Sequence, residues 1–259
     1  KTPNKDEIKD PKGKIKVTVF NIEGDTVRNF TAKIDTGMNR IYWGLNQNGI
    51  HYPAWNDKKA DADPPGGQWV LPGQYTLILQ YGKYQDTTQI KVNADPRQKA
   101  PSAKAIEQRE AYQTQYNAIV NKATQGFDRL KEAQKTIALV DKQLINVADS
   151  TKQAIAKEGK ALNDSILQIM HIYRLPQNTK GYNSVTPTLV GKLWNMSSYL
   201  YTIDNNPNPN AELALKQGEQ EVQETIDRIN IFFDTHWTGY QKKVEAIPYS
   251  LFKTYEPIK

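Results

Sequence analysis

The chain has 259 residues, which is enough for one large domain or two ordinary ones. Its hydrophobic fraction of 38% and charged fraction of 24% are typical of a globular rather than a disordered protein. The net charge is only +6, and no Lys/Arg-rich block alternates with aromatic residues, which disfavours a nucleic-acid-binding groove. Because the chain has no cysteine, disulfides, thiolate metal sites and cysteine nucleophiles are excluded.

The sequence also carries no signal for a membrane span or a leader. No apolar run approaches the ~20 residues that cross a bilayer as a helix. The chain begins at Lys1 without a signal peptide, and we interpret it as a fragment or a processed chain.

The first part of the chain shows the alternation of β-strands. In Lys14–Phe20 every second residue is apolar, which places Ile15, Val17 and Val19 on one face. After a turn at Gly24 the pattern resumes. We predict further strands over residues Thr26–Phe30, Asn39–Trp43, Tyr75–Tyr81 and Thr87–Val92.

A long irregular segment separates these strands. Residues from Asn46 to Gly67 are rich in Asn, Asp, Pro and Gly, and loops of this length are usually functional or mobile. Leu71-Pro72-Gly73 then forms a turn, since Pro presets φ and Gly accepts a positive φ.

The pattern changes to helical spacing after Pro101. Apolar residues recur at intervals of three and four, and Ser102 is the predicted N-cap. No such helix can bury its apolar stripe alone, so the helices should pack as an antiparallel bundle. Four helices are predicted, beginning near Ser102, Asp149, Pro187 and Asn210 and ending near Val147, Leu175, Ile203 and Ile247.

These patterns predict an α+β protein with two segregated domains. An immunoglobulin-like β-sandwich is expected over residues 12–95, and an antiparallel α-helical bundle over residues 101–248. Residues 249–259 would form a C-terminal tail.

Three stretches of the β part carry a family resemblance. Val27-Arg28-Asn29-Phe30, Gly37-Met38-Asn39-Arg40-Ile41-Tyr42-Trp43 and Leu71-Pro72-Gly73-Gln74-Tyr75-Thr76-Leu77 resemble the immunoglobulin-like repeat of the FlgD type, named for the flagellar hook-capping protein. The chain departs from that pattern at Gly44, where Asp commonly follows the Trp.

The continuation is similar to a narrower group. Asp95-Pro96-Arg97 followed by a long helix resembles the C-terminal region of large bacterial exported proteins that begin with a sortilin-like or Asp-box (BNR) β-propeller, often labelled as glycosyl hydrolases. The resemblance implies a non-catalytic accessory region, acting as a spacer, docking surface or stabilising module. It implies a periplasmic, cell-surface or secreted location in a Gram-negative bacterium. We predict no cofactor.

The resemblance also implies the partners. The expected partner is the upstream β-propeller of the same protein, with a polysaccharide or another cell-surface protein as further candidates. No Asp-box motif (Ser-x-Asp-x-Gly-x-x-Trp) occurs in this chain, so any glycoside hydrolase activity would belong to the upstream part.

The best binding candidates are aromatic residues of the long loop and its border, namely His51, Tyr52, Trp55 and Trp69. Their rings could stack on sugars or on another protein, which makes a carbohydrate-binding module the main alternative function. That alternative predicts that Trp55 and Trp69 are exposed and coplanar. A structural role, in which both rings fold back onto the end of the sandwich, is the favoured interpretation.

Three aspartates of the same loop, Asp57, Asp61 and Asp63, could supply hard oxygen ligands to Ca²⁺. Their spacing is not that of an EF-hand, and a solvated turn is favoured over a metal site. The three histidines do not have ligand spacing, and neither a nucleophile elbow nor a phosphate-binding loop occurs. We therefore predict no catalytic residue, with a hydrolase that uses the loop carboxylates as a remaining alternative.

Overall fold

The computed structural model describes residues 13–57, 59, 61–97, 101–144, 147, 149–176, 187–200 and 208–248. It is an α+β protein with an antiparallel sheet region in the N-terminal part and helices in the C-terminal part, as predicted. The predicted tail, 249–259, lies outside the described residues.

Contacts between residues divide the chain into two compact units. The β unit contains the described residues of 13–51 and 57–107, so it includes the first turn of the first helix. The helical unit contains the described residues of 108–200 and those from 208 onward, together with residues 52–56 of the long loop. The loop therefore contributes to both units.

The described residues of the β unit form six strands in two sheets. A four-stranded antiparallel sheet has the order β2-β1-β5-β6, and β3 pairs with β4 in a two-stranded sheet. The strands are β1 (Lys14–Phe20), β2 (Thr26–Lys33), β3 (Asn46–Asn48), β4 (Gly66–Trp69), β5 (Gly73–Tyr81) and β6 (Tyr84–Val92).

One face of the four-stranded sheet forms the core of this unit. Residues that pair directly across antiparallel strands point to the same face, and Val17 pairs with Phe30 on one side and Leu79 on the other. Val17 and Val19 are fully buried, which confirms the face that the alternation predicts. Other apolar residues packed in this core are Val70, Tyr75, Ile41, Trp43, Leu77 and Ile90.

The predicted strand over residues 39–43 is wrong. The side chain of Asn39 accepts a hydrogen bond from the N–H of Asp35 at 2.8 Å and donates to the carbonyl oxygen of Asp35 at 2.7 Å. The side chain thus closes a turn that begins at Asp35, and residues 39–43 have no strand assignment. Ile41 and Trp43 still pack on the core, so their alternation reflects burial rather than strand pairing.

The predicted helices are all found, and the fourth is interrupted. Ser102 caps the first helix, since its Oγ accepts a hydrogen bond from the N–H of Ala105 at 3.2 Å. The predicted fourth helix contains one π-helical turn, Phe233–Trp237, which inserts an extra residue into the helical period. The helices are α1 (Ala103–Gln143), α2 (Asp149–Tyr173), α3 (Leu189–Leu200), α4 (Ala211–Phe232) and α5 (Thr238–Glu245).

Glycines permit close approach between helices. A Cβ added to Gly126 of α1 would lie 2.6 Å from Cδ1 of Ile226 and 2.8 Å from the hydroxyl of Tyr173. Gly218 of α4 has a similar role, because a Cβ there would lie 2.6 Å from Sδ of Met196. In an isolated helix Gly126 would be a weak point, but here it is a packing position.

Candidate functional site

Residues Tyr52–Asn56 of the long loop, here called the docked segment, pack into the helical unit. The chain leaves the β unit after His51 and returns to it at Asp57. Two of the four aromatic candidates, Tyr52 and Trp55, belong to this segment. Their contacts define the candidate site.

The ring of Trp55 lies in an aromatic cluster of the helical unit. Its centroid is 5.4 Å from that of Phe127 in an edge-to-face arrangement, and 6.1 Å from that of His171. Phe127, which is fully buried, in turn contacts Tyr173 edge-to-face at 5.2 Å. The indole N–H donates a hydrogen bond to the carbonyl oxygen of Leu175 at 3.2 Å. Both the apolar and the polar part of Trp55 therefore have partners.

Tyr52 occupies a second position on the helical unit. Its hydroxyl is hydrogen-bonded to the hydroxyl of Tyr116, a fully buried residue of α1. Its ring packs against that of Trp194 in α3 at 5.8 Å between centroids. Burial is the main cause that raises the pKa of Tyr52, so the hydroxyl stays protonated at neutral pH.

Two cations bind the backbone of the docked segment. Nε of Arg174 donates to the carbonyl oxygen of Pro53 at 2.6 Å, and Nζ of Lys131 donates to that of Ala54 at 3.2 Å. Lys131 is 9% exposed, so this charge-assisted hydrogen bond forms largely away from water. The helical unit thus contacts consecutive carbonyls of the segment as well as its two large rings.

The other two aromatic candidates lie in the β unit. Trp69 is the last residue of β4 and is 58% exposed, and His51 is partly buried. Trp55 and Trp69 therefore belong to different units. Trp55 packs on residues of the helical unit, and Trp69 is not among the residues packed in the core of the β unit.

The three loop aspartates have separate surroundings. Asp57 and Asp61 are exposed, whereas Oδ2 of Asp63 accepts hydrogen bonds from the N–H and the hydroxyl of Thr31, at 2.8 and 2.9 Å. Within the described part of the chain, no three His or acidic side chains are grouped where they could hold a metal ion. The structure thus does not gather these aspartates into a metal-binding group.

Arg28 holds the start and the end of the long loop. Its Nη1 donates to the carbonyl oxygens of Pro64 and Pro65 at 2.8 and 2.6 Å, and to Oδ1 of Asn48 at 3.3 Å. Partial burial lowers the pKa of the Arg28 guanidinium, while the charge of Asp63 opposes that shift. The cation replaces lost hydration with these three acceptors.

The same loop covers the outer edge of β2. Oδ1 of Asn48 accepts a hydrogen bond from the N–H of Asn29 at 3.0 Å, and Asp63 binds the N–H of Thr31 in the same way. Unpaired N–H groups on an edge strand are open to association with other chains. The polar loop residues satisfy two of them.

Sequence reasoning missed the residues that bind the docked segment. Lys131 follows Phe127 by four positions, so both lie on one face of α1, and this placement of a lysine beside the apolar stripe was the available signal. Arg174 stands at the end of α2, where a cation usually compensates helix carbonyls. The position of Arg174 in the sequence does not indicate that it binds the carbonyl oxygen of Pro53.

Comparison with known proteins gives no relative: no protein-family model, no curated protein and no solved structure matches the chain. Fold and site together define an α+β protein whose helical unit binds a loop segment of the same chain. Of the helices that the structure describes, none has the length and apolar character needed to cross a membrane.

Proposed function

We propose that this chain is a non-catalytic accessory region of a larger exported protein with an upstream β-propeller, and that it acts as a spacer, docking or stabilising module. The observation that carries the proposal is the docked segment. Tyr52 and Trp55 are engaged by Tyr116, Phe127 and Leu175 of the helical unit. Much of the aromatic surface of the loop thus serves internal packing rather than a ligand.

A finer description of the fold belongs to the same proposal. The four-stranded sheet with the layer of Ile41, Trp43 and Val70 on one face would be an immunoglobulin-like sandwich of the FlgD type. The helices would form an antiparallel bundle. The expected location is the periplasm, the cell surface or the medium.

The gene itself offers the most direct test. If the proposal is correct, the coding sequence upstream of Lys1 contains repeated Asp-box motifs that form a β-propeller. A search of that sequence for the motif tests the proposal. The complete absence of the repeats would contradict it, because the proposed partner, the upstream β-propeller, would be missing.

A carbohydrate-binding role is the second candidate, and exposed aromatic residues of the β unit favour it. Trp69 is 58% exposed and Tyr42 is 75% exposed, so both rings present solvent-accessible surface on which a sugar could stack. Tryptophan fluorescence during titration with oligo- and polysaccharides tests this role. Saturable quenching that persists in Trp55→Ala and disappears in Trp69→Ala would support it. No response from the folded wild type would favour the accessory role.

A glycoside hydrolase with its active site upstream is a third possibility that the family resemblance suggests. It predicts that this chain alone does not cleave chromogenic glycosides, whereas the longer protein does. Turnover by this chain alone would contradict both this prediction and the accessory proposal.

A further inference from the structure

The docked segment is bound by the helical unit as a separate peptide would be. Its recognition uses two aromatic positions, filled by Tyr52 and Trp55, and two cations that bind main-chain carbonyls. Pro53 between the aromatic residues is buried and fixes the backbone torsion φ, which lowers the entropy lost on binding. None of these contacts requires that the segment and the helices belong to the same molecule.

The chain on the C-terminal side of the segment is long enough for the segment to move away from its own helical unit. Ala54 and Asn56 are exposed, so the docked segment is not covered by the rest of the described chain at these two positions. Toward its C-terminal side, residues 57–63 separate it from the carbonyl of Pro64, where Arg28 holds the loop. At about 3.4 Å per residue, these seven residues can span roughly 24 Å when extended.

We propose that the surface that binds the docked segment is a recognition site for a Tyr-Pro-Ala-Trp peptide, and that a second copy of this chain can supply that peptide in trans. The contacts that the segment makes within one chain identify the peptide that the surface recognises. The second copy carries the same rings, the same proline and the same carbonyls, so the contacts in the two arrangements are identical. The arrangement that dominates is then set by concentration.

The intramolecular arrangement dominates in the wild type. A segment on a short linker has an effective concentration in the millimolar range, well above the micromolar concentration of a dilute protein. The wild type should therefore be a monomer with a filled site. Binding between two molecules should appear when one copy has an intact site but a segment that cannot bind, and the other has an intact segment but a defective site.

Two complementary variants create this situation. The segment-deficient variant is Tyr52→Ala/Trp55→Ala, which removes both rings and leaves the binding surface intact. The site-deficient variant is Arg174→Ala/Trp194→Ala, which removes the donor to Pro53 and the ring against Tyr52. Arg174 is only partly buried and Trp194 is 62% exposed, so the helical core is conserved.

Analytical ultracentrifugation at increasing concentration tests the proposal. Each variant alone should sediment as a monomer, and an equimolar mixture should form a 1:1 dimer. A mixture that stays monomeric at hundreds of micromolar, with both variants folded by circular dichroism, would overturn the proposal. A dimer formed equally well by either variant alone would also overturn it, because it would use another surface.

A synthetic peptide of residues 51–57 supplies an independent measurement. It should bind the segment-deficient variant saturably. Its affinity for the wild type should be at least tenfold lower, because the wild type's own segment competes for the site. The same peptide with alanine in place of the tyrosine and tryptophan is the control. If the double alanine variant does not fold, Tyr52→Phe/Trp55→Leu replaces it, since these side chains keep most of the apolar volume. Equal binding of the native and control peptides would contradict the inference.

Discussion

In the β unit the long loop is held by polar side chains, while in the helical unit its central segment is held mainly by aromatic rings. Arg28, Asn48 and Asp63 bind backbone groups of the loop and of β2. In the helical unit Trp55 and Tyr52 pack on Phe127 and Trp194. The difference follows from the surfaces available: a sheet edge offers unpaired N–H groups, whereas a helix face offers side chains.

The two units also differ in how completely buried polar groups are satisfied. The loop acceptors of the β unit have donors, but the buried hydroxyls of Tyr173 and Tyr240 in the helical unit lack a hydrogen-bond partner among the described residues. Large aromatic packing evidently outweighs the cost of about 1–3 kcal/mol for each unsatisfied group. Substitutions in each unit can therefore test whether packing or hydrogen bonding is the larger source of stability.

The largest effect is expected for Phe127→Ala. This fully buried ring contacts both Trp55 and Tyr173, so its removal should cost about 3–5 kcal/mol of unfolding free energy in the helical unit. Urea denaturation followed by far-ultraviolet circular dichroism measures it. Leu139→Ala is the control, because Leu139 of α1 is 53% exposed and its removal should cost less than about 0.5 kcal/mol. Equal costs for the two substitutions would contradict the assigned core.

The next effect in size is expected for Arg28→Met in the β unit. The substitution keeps the length of the stem but removes the donor to Pro64 and Pro65, and should cost about 1–3 kcal/mol. Hydrogen exchange should show faster exchange at the Gly49 N–H, which binds the carbonyl oxygen of Pro65. Arg40→Met, at an exposed position of the same unit, should leave that exchange rate unchanged.

A smaller effect distinguishes two helical glycines. Gly126→Ala should destabilise the helical unit by about 1 kcal/mol, because overpacking against Ile226 and Tyr173 exceeds the gain in helix propensity. Gly239→Ala should instead stabilise it by about 0.5–1 kcal/mol, since a Cβ there meets nothing within 4 Å. Thermal unfolding of both variants measures the difference in sign. Stabilisation by both would show that the helices at Gly126 can separate without cost.

The smallest effect at neutral pH is expected for Tyr240→Phe, which removes an unsatisfied hydroxyl and should stabilise the protein by at most about 1 kcal/mol. Its clearer effect is at alkaline pH. Burial, with the negative charges of Asp141 and Glu158, raises the pKa of Tyr240 to about 12. The unfolded chain, with a tyrosine pKa of about 10, loses this proton first.

The titration of this hydroxyl should therefore leave the stability unchanged up to about pH 10 and lower it between pH 10 and 12. Tyr240→Phe should make that fall shallower, while part of it remains because burial also raises the pKa of Tyr173. Unfolding free energies measured from pH 8 to pH 11.5 test this dependence. Leu139→Ala, at a position that is 53% exposed and has no titratable side chain, is the control and should leave the slope unchanged. An unchanged slope in Tyr240→Phe would mean that this hydroxyl titrates normally.

Local sequence patterns were sufficient to predict the α+β class and most of the helices and strands. The alternation in β1 identified Val17 and Val19 as core residues, and Ser102 was identified as a cap because both signals depend on neighbours in sequence. The same reasoning predicted a strand over residues 39–43 where the Asn39 side chain closes a turn. Alternation shows which side chains are buried, but not whether the backbone has a strand partner.

Only the tertiary structure decided how the long loop is used. The sequence indicated that Tyr52 and Trp55 are special, but their partners are distant: Leu175, which accepts the hydrogen bond of Trp55, is 120 residues away along the chain. The role of Gly126 likewise depends on Ile226 and Tyr173, which lie on other helices. Periodicity fixes the buried face of an element because it is a property of one segment. The choice of partner depends on shape and hydrogen bonding between distant segments, and it appears only when they pack together.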